Sequence, residues 1–262
     1  MTAHEPRLSL VIPVGPDETE LNSLLRQLVQ LQAAVPALRD AERVISYRAS
    51  VTLPASLQAQ LDIRLVDATS VNDSTLSASF GPRSVNARAQ QLNAGAQAAT
   101  GDFLWFIHAD SQLSVNVVQQ AIHFMHSPHA QRLAYFKLSF ANDGPFFTKL
   151  NAWGANWRSR AFKLPFGDQA FLVSRATWEK IGAYEQSVQV GEDLDWVVRA
   201  KDVGVKLICL PATVKTSARK YARLGWLNTS LMHLVATVQL VRAARQRIRN
   251  SARALSADVR ET

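Results

Sequence analysis

The sequence predicts an α/β fold: a mostly parallel sheet with helices on both faces, followed by a C-terminal helical extension. Three observations carry this. Short apolar, β-branched runs alternate with stretches of helical periodicity through the first half of the chain. Their order, βαβ…αβ, is that of parallel strands joined by helical crossovers. The composition is globular, with 262 residues, 47% hydrophobic and 19% charged, which supports a real core and excludes a disordered chain. Cys209 is the single cysteine. An intramolecular disulfide and a multi-cysteine metal site are thereby excluded, which suits a reducing compartment.

The elements follow in order. Leu8–Val14 is too short for a helix, a signal h-region or a membrane span, and reads as a strand. Asp17 is placed to cap the next helix, whose Leu21, Leu24, Leu25, Leu28 and Leu31 repeat at helical spacing. Arg43–Tyr47 and Ile63–Val66 are the next strands, and 69–84 is a polar loop. Ser84–Ala99 is helical and Gly101 ends it. Phe103–Ile107 is the most apolar short run and reads as a buried central strand. A helix is expected over Ser111–Gln120 and a strand over Leu133–Phe140. Asn151–Phe162 is a helix or an ordered loop, and Leu164–Gln169 is a turn before a strand at Ala170–Val173. Glu192–Asp202 is a helix, Lys206–Leu210 a strand and Leu224–Arg249 a long helix.

In parallel sheets ligands sit beyond the carboxyl ends of the strands. Asp110 follows the most buried strand, where a carboxylate can hold a divalent cation or simply cap the following helix. Glu192, Asp193 and Asp195 crowd one helix start. The helix dipole explains one or two of them, and a surplus carboxylate is suited to general-base work. Asp168 and Gln169, beside a turn glycine, can bind sugar hydroxyls or close an Asx-turn. Arg219 stands in a cationic cluster that can grip a diphosphate or lie on a solvated face. The histidines do not form a zinc-type pair on a helix, and no Walker loop, G-x-G-x-x-G turn or G-x-S-x-G elbow is present.

Together these motifs resemble the family 2 glycosyltransferases of the GT-A fold. Leu8–Val14 is similar to their first strand. Ala87–Gly95 and Ala99–Asp110 resemble their A-R-N-x-G…A-x-G-D-Y-L-x-F-L-D-A-D segment. A bacterial subgroup with R-x-x-Q-x-N-A-G, F-x-H-A-D, F-G-D-Q, E-D and T-S-A-R is similar at Phe166–Gln169, Glu192-Asp193 and Thr216–Arg219. The resemblance covers about residues 8–223. It implies inverting transfer from a nucleotide-diphosphate sugar to a hydroxyl acceptor. Asp193 would be the base, with Glu192 beside it. Pro13, Asp67, Arg88, Asp110 and Arg219 would bind the donor, Asp110 through Mn²⁺ or Mg²⁺. Trp157, Asp168 and Gln169 would line the acceptor or sugar pocket. Two positions depart from the pattern. His108 replaces the first aspartate of D-x-D. The second strand ends in Tyr47-Arg48-Ala49-Ser50 where the family has a nucleobase-reading aspartate. Asp67 or a stacking Tyr47 is the substitute this implies; the other reading is a catalytically inert relative serving as a membrane-associated binding or scaffold protein.

The tail differs from the body. Residues 1–198 hold 16 Lys+Arg and 18 Asp+Glu, whereas 199–262 hold 13 and 3. Leu224, Leu227, Leu231, Leu234, Val238 and Val241 form an apolar stripe, followed by Arg242, Arg245, Arg247, Arg249 and Arg253. The division expected is a catalytic domain over 1–223 and a basic amphipathic extension over 224–262. An anionic membrane surface is the partner this extension suits, through 224–253, and the alternative is a helix packed on the domain or on a second subunit. A nucleic-acid partner is not expected, since no recognition motif accompanies the charge. The location implied is cytoplasmic, with peripheral attachment to the inner face of the membrane.

Overall fold

The computed structural model describes residues 5–16, 18–48, 50–69, 86–141, 148–217 and 238–250. Its strands are β1 (Leu8–Val14), β2 (Glu42–Tyr47), β3 (Ile63–Asp67), β4 (Phe103–Phe106), β5 (Leu133–Phe140), β6 (Leu172–Ser174) and β7 (Leu207–Thr216). The helices are α1 (Leu21–Ala34), α2 (Ala55–Gln58), α3 (Ala87–Ala98), α4 (Val115–Met125), α5 (Thr148–Ala161), α6 (Arg175–Ile181) and α7 (Glu192–Asp202). One seven-stranded sheet runs β3-β2-β1-β4-β6-β5-β7. Every pairing is parallel except the two made by β6.

β1 shows why the sheet carries helices on both sides. Its residues alternate with a period of two. Leu10 and Ile12 face the core shared with α1 and α4, while Val11 faces the core shared with α3 and α7. The predicted leucine stripe of α1 is buried in full. Asp17, its proposed cap, lies outside the described residues. Helix α3 crosses the sheet closely at Gly95, where a Cβ would come within 2.6 Å of Val11 Cγ1. That approach fixes the N-terminus of α3 over the carboxyl ends of β1 and β2.

Three boundaries differ from expectation. Helix α4 begins at Val115, capped by Ser114 Oγ on the Val117 N–H. Asp110 is therefore not its cap. β7 runs on to Thr216 past Pro211. Pairing jumps from Phe136–Leu210 to Lys137–Thr213, so the strand bulges around the residue that has no N–H to give. The segment around Asn151–Phe162 is helical, as α5, although no apolar stripe drives it. Asn156 holds it to β5, accepting from Leu138 N (2.8 Å) and donating to Leu138 O (2.8 Å). Of the long helix expected at Leu224–Arg249, residues 238–250 are described and are helical.

Candidate active site

The site forms along the carboxyl edge of β1, β2 and β4. Helix α7 is aimed at this edge by Trp196, which is fully buried. Its ring stacks on Tyr184 (centroids 4.8 Å apart) and on Phe171 (5.9 Å). A buried aromatic of this kind contributes on the order of 3–5 kcal/mol against its alanine variant.

The three acids at the start of α7 divide by partner. The N-cap is Gly191, with φ +81, and no side chain caps the helix. Asp193 Oδ2 accepts the Gly167 N–H at 2.6 Å, and its Oδ1 accepts the Leu194 N–H at 2.7 Å. Gly167 sits against His108 Nε2 as well, since a Cβ there would lie 3.2 Å from it. Glu192 is buried and accepts Asn86 Nδ2 at 2.9 Å. Burial first, and the Asp193 charge second, raise its pKa above the ordinary carboxylate value. Asp195 is turned away, held by Arg199 at 3.0 Å and by Arg247 at 2.6 Å. The three acids that the sequence marks thus resolve into Asp195, paired with two arginines, and two carboxylates at the edge.

Asp110 Oδ2 accepts Thr216 Oγ1 at 3.1 Å, which ties the end of β4 to the end of β7. Asp168 lies nearby. Burial pushes its pKa up to about 7, against the pull of Arg158 and with further push from the Asp193 and Asp110 charges. Its Oδ1 is buried without a hydrogen-bond partner among the described residues. His108 is held well below its ordinary pKa by burial and then by the Arg88 charge, so it is neutral.

Two cavities open at this edge. One of about 360 Å³ is lined by Pro13, Gly15, Pro16, Arg48, Ala87, Arg88 and Gln91. Pro13 and Arg88 therefore line one cavity, and Gln91 steadies the wall by donating to Val14 O. The second cavity, about 540 Å³, contains Trp157 and Asp168. Gln169 is not part of it. Its side chain is fully buried and committed to the fold, accepting from Ser159 Oγ (2.6 Å) and donating to Phe136 O (2.9 Å). Asp67 is exposed at the end of β3 and spends Oδ1 on Thr69 N (2.8 Å) and Thr69 Oγ1 (2.6 Å), which lowers its pKa. The structure does not bring it into either cavity. Tyr47 is half-buried against the core, not free as a stacking platform. Arg219 lies outside the described residues. Asn86, Gly167, Thr216 and Arg48 are the contributors that residue-by-residue reading passed over. Phe166–Gln169 and Thr216–Arg219 contained two of them, but only their partners across the fold give them roles.

Residues 82–180 match the model of glycosyl transferase family 2. The match runs from α3 into α6. Solved structures give the same fold at low identity. S. aureus TarS 1-349 in complex with UDP-GlcNAc is 15% identical at a TM-score of 0.56, over 81% of this chain and 59% of that one. The mannosyltransferase PcManGT from Pyrobaculum calidifontis, in complex with GDP-Man and Mn²⁺, is 15% identical at 0.56, over 99% and 77%. Glucosyl-3-phosphoglycerate synthase from Mycobacterium tuberculosis, in complex with phosphoglyceric acid, is 16% identical at 0.56, over 90% and 80%. The chain spans 37% to 65% of the length of the TarS chains. No curated protein matches it. The described residues thus share the GT-A fold of these structures, with the parallel half spanning β1 to β4.

Among the described residues no three His, Cys, Asp or Glu side chains form a ready-made metal site. The residues present still fit a cation that arrives with a diphosphate, because such ions take one or two carboxylates and complete their shell with phosphate oxygens and water. Asp110 is the carboxylate placed to serve. No described helix is long and apolar enough to cross a membrane.

Proposed function

We propose that the protein transfers a sugar, with inversion, from a nucleotide-diphosphate sugar to a hydroxyl acceptor. The observation that carries this is the hold on Asp193. Two backbone N–H groups fix its carboxylate at the sheet edge, beside His108 and near Asp168. A base fixed in this way takes the proton of the acceptor hydroxyl as that oxygen bonds to the anomeric carbon. The bond from that carbon to the diphosphate breaks in the same step, on the opposite face, and the leaving group departs toward Arg88. A divalent cation on Asp110 would neutralise charge on the diphosphate. The nucleotide sugars and Mn²⁺ found with TarS and PcManGT support the donor class. His108, neutral, does not repel a cation.

The test is a thermal-shift panel of nucleoside diphosphates with and without Mn²⁺. A donor site raises the melting temperature by linkage, by an amount that grows with nucleotide concentration. No shift with any nucleotide, metal present, removes the donor reading.

The extension is the second matter. Its described part lies on the domain: Ala244 is fully buried, Leu240 covers Gly191 and Arg247 reaches Asp195. These contacts support the packed alternative for 238–250 rather than insertion into a membrane surface.

A further inference from the structure

The 540 Å³ cavity is of the size of small-molecule sites. Its wall is unlike a sugar site. Leu150, Trp157, Phe162, Leu164, Phe166 and Val241 make most of it apolar. Three of these are more exposed than large apolar side chains usually are: Leu150 at 55%, Trp157 at 52% and Phe162 at 54%. The wall is also ordered. Trp157 and Phe162 meet edge to face at 5.3 Å, and the Arg158 guanidinium lies 3.6 Å over the Phe166 ring. The polar residues of the lining include Asn151, Arg158 and Asp168, and the buried Oδ1 of Asp168 has no partner among the described residues. A buried acceptor atom of this kind calls for a donor. At the rim stand Arg242 and Arg245, both exposed and both cationic.

We infer that this cavity binds the acceptor as an amphiphile, its apolar body against Trp157, Phe162 and Leu150 and its hydroxyl on Asp168. The inference rests on the reading of Asp193 as base, because Asp168 is the cavity residue that shares the Asp193 neighbourhood. Sugars and other fully polar acceptors would leave their hydroxyls unmatched against this wall, which costs more than the contact gains. Cationic amphiphiles are disfavoured by the two rim arginines. The acceptor class is therefore a neutral or anionic alcohol with a substantial hydrocarbon part.

Gly154 gives a clean way to block the cavity. It lines the wall, and a Cβ added there meets nothing within 4 Å. Gly154→Phe therefore adds a bulky side chain at the wall whose Cβ meets no neighbour, and replacing a helical glycine does not weaken α5. The experiment is calorimetric titration of the full chain with 1-decanol, with methyl glucoside and decyltrimethylammonium as controls. Saturable binding of decanol, at least tenfold weaker binding of both controls, and at least tenfold loss in Gly154→Phe are expected. No saturable decanol binding, equal binding of methyl glucoside, or undiminished binding in Gly154→Phe overturns the inference. The nucleotide thermal shift, run on the same samples, separates this from the donor reading. Decanol binding without a nucleotide shift leaves the cavity and removes the donor; a nucleotide shift without decanol binding does the reverse.

Discussion

The two cavities at the sheet edge differ in size and lining. The cavity at β1, β2 and α3 is the smaller, walled by backbone turns and by Arg48, Arg88 and Gln91. The cavity at α5 and the C-terminal helix is larger and more aromatic, with Asn151, Arg158 and Asp168 among its polar lining. The first is made by consecutive βα units, whose strand ends and helix N-termini converge by topology alone. The second needs α5, the turn at 164–168 and residues 238–245, which are far apart in sequence. Asp193 lines neither cavity and adjoins the second through the Gly167 N–H and its charge on Asp168. The difference teaches that one side is fixed by the fold class, while the other is free to vary in what it accepts.

The comparison is broken most sharply at Asp193. Asp193→Asn removes the proposed base and keeps the side chain's size, at the loss of one of its two N–H contacts. Turnover should fall by roughly 10²-fold or more, while nucleoside-diphosphate binding by calorimetry stays within about twofold. A parallel loss of nucleotide affinity would show that Asp193 belongs to the donor side as well.

Arg88→Ala tests the polar side alone. Charge-assisted bonds to phosphate are worth about 1.5–3 kcal/mol. Nucleoside-diphosphate affinity should therefore drop by roughly tenfold or more, with decanol binding unchanged. Loss of decanol binding in this variant would mean the two cavities are one.

How much of this was legible before folding follows the same divide. Leu8–Val14, the α1 leucines and Leu133–Phe140 were readable because burial imprints its period locally. Pro13 was readable because the strand-end rule places it, and Arg88 only through the family resemblance. The α5 side was not. Asn156 and Ser159 anchor a helix with little apolar periodicity, and a bonded side chain leaves no pattern in sequence. Asp110 looked like a helix cap because a cap and a ligand share residue type; the start of α4 at Val115 excludes the cap. Gln169 looked like a pocket residue for the same reason, and its bonds to Ser159 and Phe136 show otherwise. Asp195 resembled its neighbours until Arg247, 52 residues later, reached it.

Asp168 sharpens the comparison through pH. Its carboxyl is pushed from about 3.8 up to about 7 by burial. The native state then holds the proton more tightly than the unfolded chain, so stability falls as pH rises from about 4 to about 7 and is flat beyond. Asp168→Asn removes that slope. In buffer containing a chelator, urea midpoints should show the variant gaining on the wild type between pH 5 and pH 8. Parallel midpoints at both values would mean that Asp168 is solvated and that the apolar cavity does not enclose it.

The smallest effect tests whether the extension completes the apolar side. Arg247 binds Asp195, but its own side chain is 40% exposed and Asp195 keeps Arg199 as a second partner. Solvent screens the exposed half of such a pair, so Arg247→Ala should cost about 1 kcal/mol or less in urea unfolding. The contacts of Leu240 with Gly191 and the burial of Ala244 continue to hold the helix in the variant. Ala244→Asp addresses those contacts directly, since it puts a charge at a fully buried position. The packed arrangement predicts that Ala244→Asp lowers the urea midpoint more than Arg247→Ala does and also weakens decanol binding, because residues 238–245 form one wall of that cavity. If Ala244→Asp changes neither, the helix does not rest on the domain in solution, and the basic face of 224–253 is free for an anionic surface instead.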